Sequence, residues 1–298
     1  MTAIPDIAGR IAIVIVDYNS EALLRRCLDS ILLLDRDDLV LIVVDNGGSI
    51  DEARLCADYP ASILLRPGSN LGFAGGCNLG LRAALDGDAA WCLLLNPDTR
   101  VESDFLSPLI EALEADAGLG MACPTILVDD ESKNIWFGGG RINWWVGRPI
   151  SFRNRSLLDR GGVQSVPYLT GCAMMLRPSA IREVGLMEDS YFLYFEDADY
   201  TRAFIDAGWK AAYVPAATLL HSPSSTTGFQ SDGYVFYFAR NRILFMRRWA
   251  NWPQWIVFML FHSLVRLPGA IIVFGLLRRR PGTAKAFLKG WAAGVTGR

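Results

Sequence analysis

The sequence predicts an α/β fold with a mostly parallel central sheet covered by helices. Three observations carry that expectation. Short β-branched runs alternate with helical patterns through the first hundred residues. Acid or amide groups fall at four consecutive strand ends, where ligands of such sheets sit. Apolar residues make up 51% of the 298 residues and charged residues 20%, a balance that supports a sizeable core and argues against extended disorder.

The elements follow in order. Ile11–Val16 reads as a buried strand. Ser20 then caps a helix with Leu23, Leu24, Cys27, Leu28 and Ile31 on one face. Leu39–Val44 is a second strand, and the capping-box spacing of Ser49 and Glu52 opens a short helix. Ile63–Leu65 is a third strand. A Gly-rich turn at Leu71–Gly76 leads into a helix ending near Leu85. Trp91–Leu95 is the fourth strand, and Ser103 to Ala117 a further helix. Beyond it, Val166–Leu176 reads as extended, Ser179–Val184 as a short helix stopped by Gly185, and Trp209–Val214 as another strand. The helix after Glu196 places Tyr200, Phe204 and Ala207 on one side and ends at Gly208.

The polar strand ends are Asp17-Tyr18-Asn19, Asp45-Asn46-Gly47-Gly48, Asn70 through Asn78, and Asn96-Pro97-Asp98. Asp and Asn are common turn residues, so one such end means little. Four in succession point to a converging polar site.

Charge divides the chain at residue 232. No Asp or Glu follows Asp232, and residues 233–298 carry a net +11 against −13 for the rest. That places an acidic catalytic region at 1–232 and a basic, aromatic-rich tail at 233–298. The tail calls for an anionic partner, and its many apolar residues favour a membrane surface over nucleic acid. The six cysteines form no C-x-x-C pair, which fits a reducing compartment, and Met1–Arg10 lacks a signal-peptide pattern.

Taken in order, Val16-Asp17-Tyr18-Asn19-Ser20, Val44-Asp45-Asn46-Gly47, Asn70-Leu71-Gly72-Phe73 through Asn78, Leu95-Asn96-Pro97-Asp98, Thr170-Gly171-Cys172 and Phe195-Glu196-Asp197-Ala198-Asp199, with Arg202 and His221, resemble the inverting family-two glycosyltransferases, most closely their rhamnosyltransferase-like branch. The resemblance covers roughly residues 11 to 225. It implies a GT-A fold, a nucleotide-sugar donor and a divalent cation, Mg²⁺ or Mn²⁺. Displacing a nucleoside diphosphate requires that the base be held, the departing charge neutralised and the acceptor hydroxyl deprotonated.

On that resemblance, Asp45 accepts from the nucleobase and Val16 and Tyr18 line its pocket, with Asn46 beside them. Asp98 is the metal ligand, aided by His221. The family often has a second acid two residues earlier, where this chain has Asn96. Asp197 is the expected general base. Glu196 orients it or is itself the base, and Asp199 complements the helix dipole. Asn70 and Asn78 bond the nucleotide or its neighbouring loops, Gly75 lies in the close-approach stretch, and Gly171 and Cys172 border the sugar. Asp17 departs from the family, which more often has a neutral residue there. Trp136, Trp144, Trp145 and His262 receive no role.

The tail's apolar stretch Trp255–Leu277 is interrupted at Leu267-Pro268-Gly269, which reads as a break between two halves too short to span a ~30 Å core. An interfacial or re-entrant helical pair is expected, either on the cytoplasmic membrane face or packed on protein. The implied partners are a dTDP- or UDP-linked sugar such as dTDP-rhamnose and a lipid-linked glycan acceptor of cell-envelope polysaccharide synthesis, with a homodimer left open. Two rival readings are a nucleotidyltransferase, disfavoured because no Lys or Arg lies between Asn70 and Leu81, and an inactive nucleotide-sugar-binding scaffold.

Overall fold

A computed structural model describes residues 6–154, 161–222 and 231–297. The end of the family-like region, 223–225, lies outside them. The chain forms two compact units. The first comprises Met1–Gly140, Ser151–Phe192 and Glu196–Thr226, and the second Arg141–Ile150, Leu193–Phe195 and Thr227–Arg298. The second unit thus gathers two short pieces from earlier in the chain.

In the first unit, β1 (Ile11–Asp17), β2 (Leu39–Asp45), β3 (Ser62–Leu65) and β4 (Trp91–Leu95) are parallel neighbours in the order β4-β1-β2-β3. Every residue of β1 and β2 is buried, as apolar runs covered on both faces require. The sheet continues beyond β4 through β11 (Ala173–Leu176), β6 (Leu119–Val128), β12 (Lys210–His221) and β10 (Gln164–Ser165). β11 is antiparallel to both β4 and β6, while β6 and β12 are parallel. Two short strands, β5 (Thr99–Arg100) and β7 (Ile135–Phe137), pair with β12 and β6. Because β2 and β4 flank β1 on opposite sides, the strand order reverses there, and a crevice at that switch point is where such sheets bind ligands.

The helices of this unit are α1 (Glu21–Leu32), α2 (Glu52–Asp58), α3 (Gly72–Asp86), α4 (Leu106–Ala115), α5 (Pro178–Val184) and α6 (Glu196–Asp206). Several local expectations change. Ser20 sits at the N-cap of α1, but its hydroxyl donates to Asp17 Oδ1 and makes no cap bond to the helix. α2 is capped by Asp51, which accepts from Arg54 N, and not by Ser49. The Gly-rich stretch is the first turn of α3 itself. A Cβ on Gly76 would stand 2.6 Å from Val16 Cγ1, so these glycines let α3 sit against β1. β12 extends seven residues past Val214 through an irregularity at Pro215, where the missing N–H breaks the ladder. His221 therefore ends a strand. The six cysteines are all free.

The second unit holds the hairpin strands β8 (Gly140–Asn143) and β9 (Arg148–Ser151) together with α7 (Asp232–Trp249). A long helix, Trp252–Leu277, and the final helix, Pro281–Thr296, complete it. The expected break at Pro268 is absent. The helix passes through residues 262–266 and 271–277 in a wider, π-type winding, which accommodates a residue lacking an N–H. At 26 residues it is long and apolar enough to cross a membrane.

Its neighbours fix its direction. Val235 and Ala239 of α7 pack with Ala270, Leu267 and Phe274, while a Cβ on Gly147 would meet both Met246 and Phe258. The long helix is therefore antiparallel to α7. The final helix runs parallel to α7: Gly290 lies against the Phe236 carbonyl and Gly294 against that of Arg240. Small residues four apart permit that approach. Asn241 Nδ2 donates to the carbonyls of Leu193 and Tyr194, at 2.7 and 2.8 Å, and so holds that short segment within the unit.

Candidate active site

The site grows from the strand ends of the first unit. Asp17 and Asp45 are register partners at the ends of β1 and β2. The Asp45 carboxylate is fully buried. Oδ1 accepts from Gly48 N (2.7 Å) and Ser49 N (3.1 Å), and Oδ2 from Ile50 N (3.0 Å), with Arg66 Nε 3.5 Å away. Asp17 accepts from Ser20 N, and burial pushes its pKa up against the pull of the Ser20 bonds. Asn46 bridges to α3: its Nδ2 donates to Gly72 O (2.8 Å) and its Oδ1 accepts from Leu71 N (3.1 Å). Asn70 Oδ1 accepts from Gly72 N at 2.8 Å. Asn78 is bidentate to Met187, donating to its carbonyl and accepting from its N–H. Of the two expectations for Asn70 and Asn78, the structure shows the bonds to neighbouring loops. Gly75 lies inside α3, Val16 is buried beneath it, and Tyr18 is half-exposed.

The ends of β4 and β12 form a second cluster. Pairing of Thr99 with His221 brings together residues far apart in sequence. His221 Nε2 lies 3.2 Å from Asp98 Oδ1, with both side chains buried. The Trp136 ring packs edge-on against the imidazole at 4.4 Å. His221 Nδ1 and Asn96 Oδ1 are buried without hydrogen-bond partners.

Among the described residues no three His, Cys, Asp or Glu side chains gather into a metal cage. The residues present nonetheless fit a divalent cation that completes its coordination on a ligand's phosphate oxygens. They supply a carboxylate, an imidazole and an unpartnered amide oxygen in the same turn as the carboxylate. Asp98 and His221 are the expected metal pair, and the structure brings them together.

A two-residue bridge, Gly171-Cys172, joins this cluster to Asp197. Asn96 N donates to Cys172 O at 2.9 Å, and Gly171 N donates to Asp197 Oδ2 at 3.2 Å. A Cβ on Gly171 would stand 3.1 Å from Phe73 and 3.4 Å from Asp197. Burial raises the Cys172 thiol well above its usual pKa, so it stays neutral.

Asp197 also accepts from the Tyr168 hydroxyl (3.0 Å) and from Ala198 N (2.7 Å). Glu196 is buried at 6% exposure, and its Oε2 has no partner. Burial raises both carboxyls, and the Asp197 charge raises Glu196 further. Tyr168 OH, Gly171 N and Ala198 N all favour the anion on Asp197, whereas Glu196 is helped only by its own main-chain N–H, so the charge is better held on Asp197 than on Glu196.

The backbone leading into this pair is left-handed at three aromatic residues, Phe192, Tyr194 and Phe195, with φ of 62°, 70° and 75°. Bulky side chains rarely adopt that region. Phe192 O accepts from Phe73 N at 2.6 Å, which anchors the turn to α3. Asp199 accepts from Tyr191 OH at 3.0 Å, and Arg202 pairs with Asp206 one turn on.

Tyr168 and Thr99 were missed in the sequence. The signal for Tyr168 was its place two residues before Thr170-Gly171-Cys172, in an extended run. Thr99 follows Asp98 directly.

An open sheet with acidic residues converging at its switch point is the architecture of a GT-A sugar-transferring enzyme. The chain belongs to glycosyl transferase family 2, whose description matches residues 12–185. An N-acetylglucosaminyl-diphospho-decaprenol L-rhamnosyltransferase of Mycobacterium tuberculosis is 25% identical over 288 residues, covering 90% of this chain and 94% of the relative. The mannosyltransferase PcManGT from Pyrobaculum calidifontis, solved with GDP-Man and Mn²⁺, superposes with a TM-score of 0.60 at 15% identity, over 99% of this chain and 90% of that one. GalNAc-T7, solved with UDP, GalNAc and Mn²⁺, gives a TM-score of 0.62 at 14% identity, over 90% of this chain and 58% of that one. The protein is a glycosyltransferase with a nucleotide-sugar donor. Both rival readings, nucleotidyltransferase and inactive scaffold, give way to it.

Proposed function

We propose that the protein transfers rhamnose or a related sugar from a dTDP- or UDP-linked donor to a hydroxyl of a lipid-linked glycan, inverting the anomeric centre in one displacement. The observation that carries the reading is the carboxylate pair at the start of α6, where Asp197 accepts three hydrogen bonds and the buried Glu196 Oε2 accepts none. Asp197 accepts the proton of the acceptor hydroxyl as that oxygen attacks the anomeric carbon. The bond from that carbon to the diphosphate oxygen breaks, and the nucleoside diphosphate leaves. Asp98 and His221 would hold a divalent cation, with Asn96 Oδ1 available beside them. Such a cation neutralises the charge of the leaving diphosphate. Val16, Tyr18, Asp45 and Asn46 form the nucleoside side. Asp45, whose carboxylate also holds the 48–50 loop, accepts from the nucleobase on this reading.

Relatives name the other partners: the M. tuberculosis enzyme's name supports both the rhamnosyl donor and the diphospholipid acceptor. Membrane attachment at the cytoplasmic face runs through the second unit. The long helix is antiparallel to α7 and to the final helix, which carry Arg240, Arg247, Arg248, Lys285 and Lys289. A span would take those charged helices with it, so an interfacial helix layer is favoured.

The test incubates the full chain in detergent with dTDP-rhamnose, Mn²⁺ and a prenyl-diphosphate N-acetylglucosamine acceptor. Metal-dependent release of dTDP with a β-to-α or α-to-β inverted product supports the reading. Retention of anomeric configuration, or turnover by Asp197→Asn near that of the unmodified chain, overturns it.

A further inference from the structure

Among the described residues, the helical unit holds a positive charge with no acidic partner. Arg242, midway along α7, is 6% exposed, and its guanidinium lies over the Phe238 ring at 4.9 Å. Its Nε has no hydrogen-bond partner, and no carboxylate acts on it. Asp232 is the single acidic residue in the segments that build this unit, and it is engaged by the Thr283 hydroxyl at 2.6 Å.

Two more arginines, Arg266 and Arg148, oppose its charge. Ala239 packs at the level of Ala270, and Met246 at the level of Phe258 and the Gly147 turn. Arg242 lies between those levels. That puts it beside the His262–Arg266 turn of the long helix and beside Arg148, which follows Gly147. Burial first, then Arg266 and Arg148, lower its pKa to about 9. A buried cation facing like charges is costly unless an anion completes it. Next to this cluster the long helix exposes an apolar stripe that includes Leu260, Leu264, Val265 and Ile272.

We propose that Arg148, Arg242 and Arg266 bind the diphosphate of a prenyl-diphosphate lipid whose hydrocarbon chain lies along the Trp252–Leu277 helix. Three guanidiniums match a diphosphate, with its several charges and acceptor oxygens, better than the single charge of a phospholipid phosphate. The apolar stripe fits the hydrocarbon. The inference rests on the lipid-linked acceptor reading and supplies the place where the acceptor is gripped.

The experiment uses the full chain in detergent. Binding of farnesyl diphosphate is measured by calorimetry beside farnesol, sodium pyrophosphate and phosphatidylglycerol vesicles, for the unmodified chain, Arg242→Met and Arg266→Gln. The expected result is that farnesyl diphosphate binds more tightly than farnesol or pyrophosphate. Each variant weakens it at least about tenfold, and the affinity for dTDP stays unchanged. Arg242→Met also melts higher without lipid, because an uncompensated buried charge is gone, so loss of binding cannot be confused with unfolding. Equal farnesyl diphosphate affinity in the variants overturns the site, as does arginine-dependent binding of phosphatidylglycerol alone. Absence of binding to both dTDP and UDP would instead defeat the proposed donor, while leaving the lipid result to stand or fall by itself.

Discussion

The two flanks of the catalytic crevice are built differently. On the β1–β2 flank the buried polar side chains that sequence reading picked out have protein partners. Asp45 accepts three main-chain N–H groups, Asn46 ties β2 to α3, and Asn78 clasps Met187. On the β4–β12–α6 flank, Asn96 Oδ1, His221 Nδ1 and Glu196 Oε2 are buried with none. Burying a polar atom without a partner costs about 1–3 kcal/mol, so the second flank carries a cost that the first avoids. The difference separates framework from chemistry. On the proposed reading, satisfied side chains fix the loops on the nucleoside side, and unsatisfied ones face the reacting groups.

The comparison can be broken in four places. Asp197→Asn should lower kcat by about 10²- to 10⁴-fold with donor affinity preserved. A normal kcat would move the base elsewhere. His221→Ala should raise the Mn²⁺ concentration for half-maximal turnover about tenfold or more, and an unchanged metal titration would detach the Asp98–His221 pair from the cation. Asn78→Ala belongs to the satisfied flank and should cost about 1–3 kcal/mol in denaturant unfolding, while kcat per folded molecule hardly changes. A large fall in kcat without loss of stability would make Asn78 a ligand contact.

The smallest effect is a pH dependence at Glu196. Its folded-state pKa is raised, mainly by burial and then by Asp197. The native state therefore keeps a proton that the unfolded chain releases, and stability falls as pH rises from the ordinary glutamate pKa through the raised one. Glu196→Gln should remove that fall. It should melt higher than the unmodified chain at pH 8 and much the same at pH 4. Parallel melting curves at both pH values would place the proton on Asp197 instead.

How much of this was legible in the sequence follows the same division. The buried strands were plain because β1 and β2 are unbroken apolar runs. The strand-end acids were plain because they interrupt those runs. What stayed hidden was the destination of each polar side chain. The spacing that makes Ser49 a cap competes with Asp51, which is better placed for Arg54 N. The Asp98–His221 pairing depends on the two-residue β5, too short to show a period. Pro268 looked like a terminator because i→i−4 winding would break there. Wider winding around it escaped any rule of spacing. Arg242 was counted in the tail's charge, but its burial depends on which face of α7 packs, and that needed the fold.

The pairing of β5 with β12 also sets an order of assembly. Thr99 and His221 close a loop of more than a hundred residues, and a closure of that length has to await the strands between them. A chain emerging from synthesis completes β1 to β4, with the loops that Asp45 and Asn46 organise, well before it owns the imidazole that faces Asp98. The framework flank can form early, whereas the Asp98–His221 pair is a late product of folding. Reactive competence is thereby withheld from a half-made polypeptide.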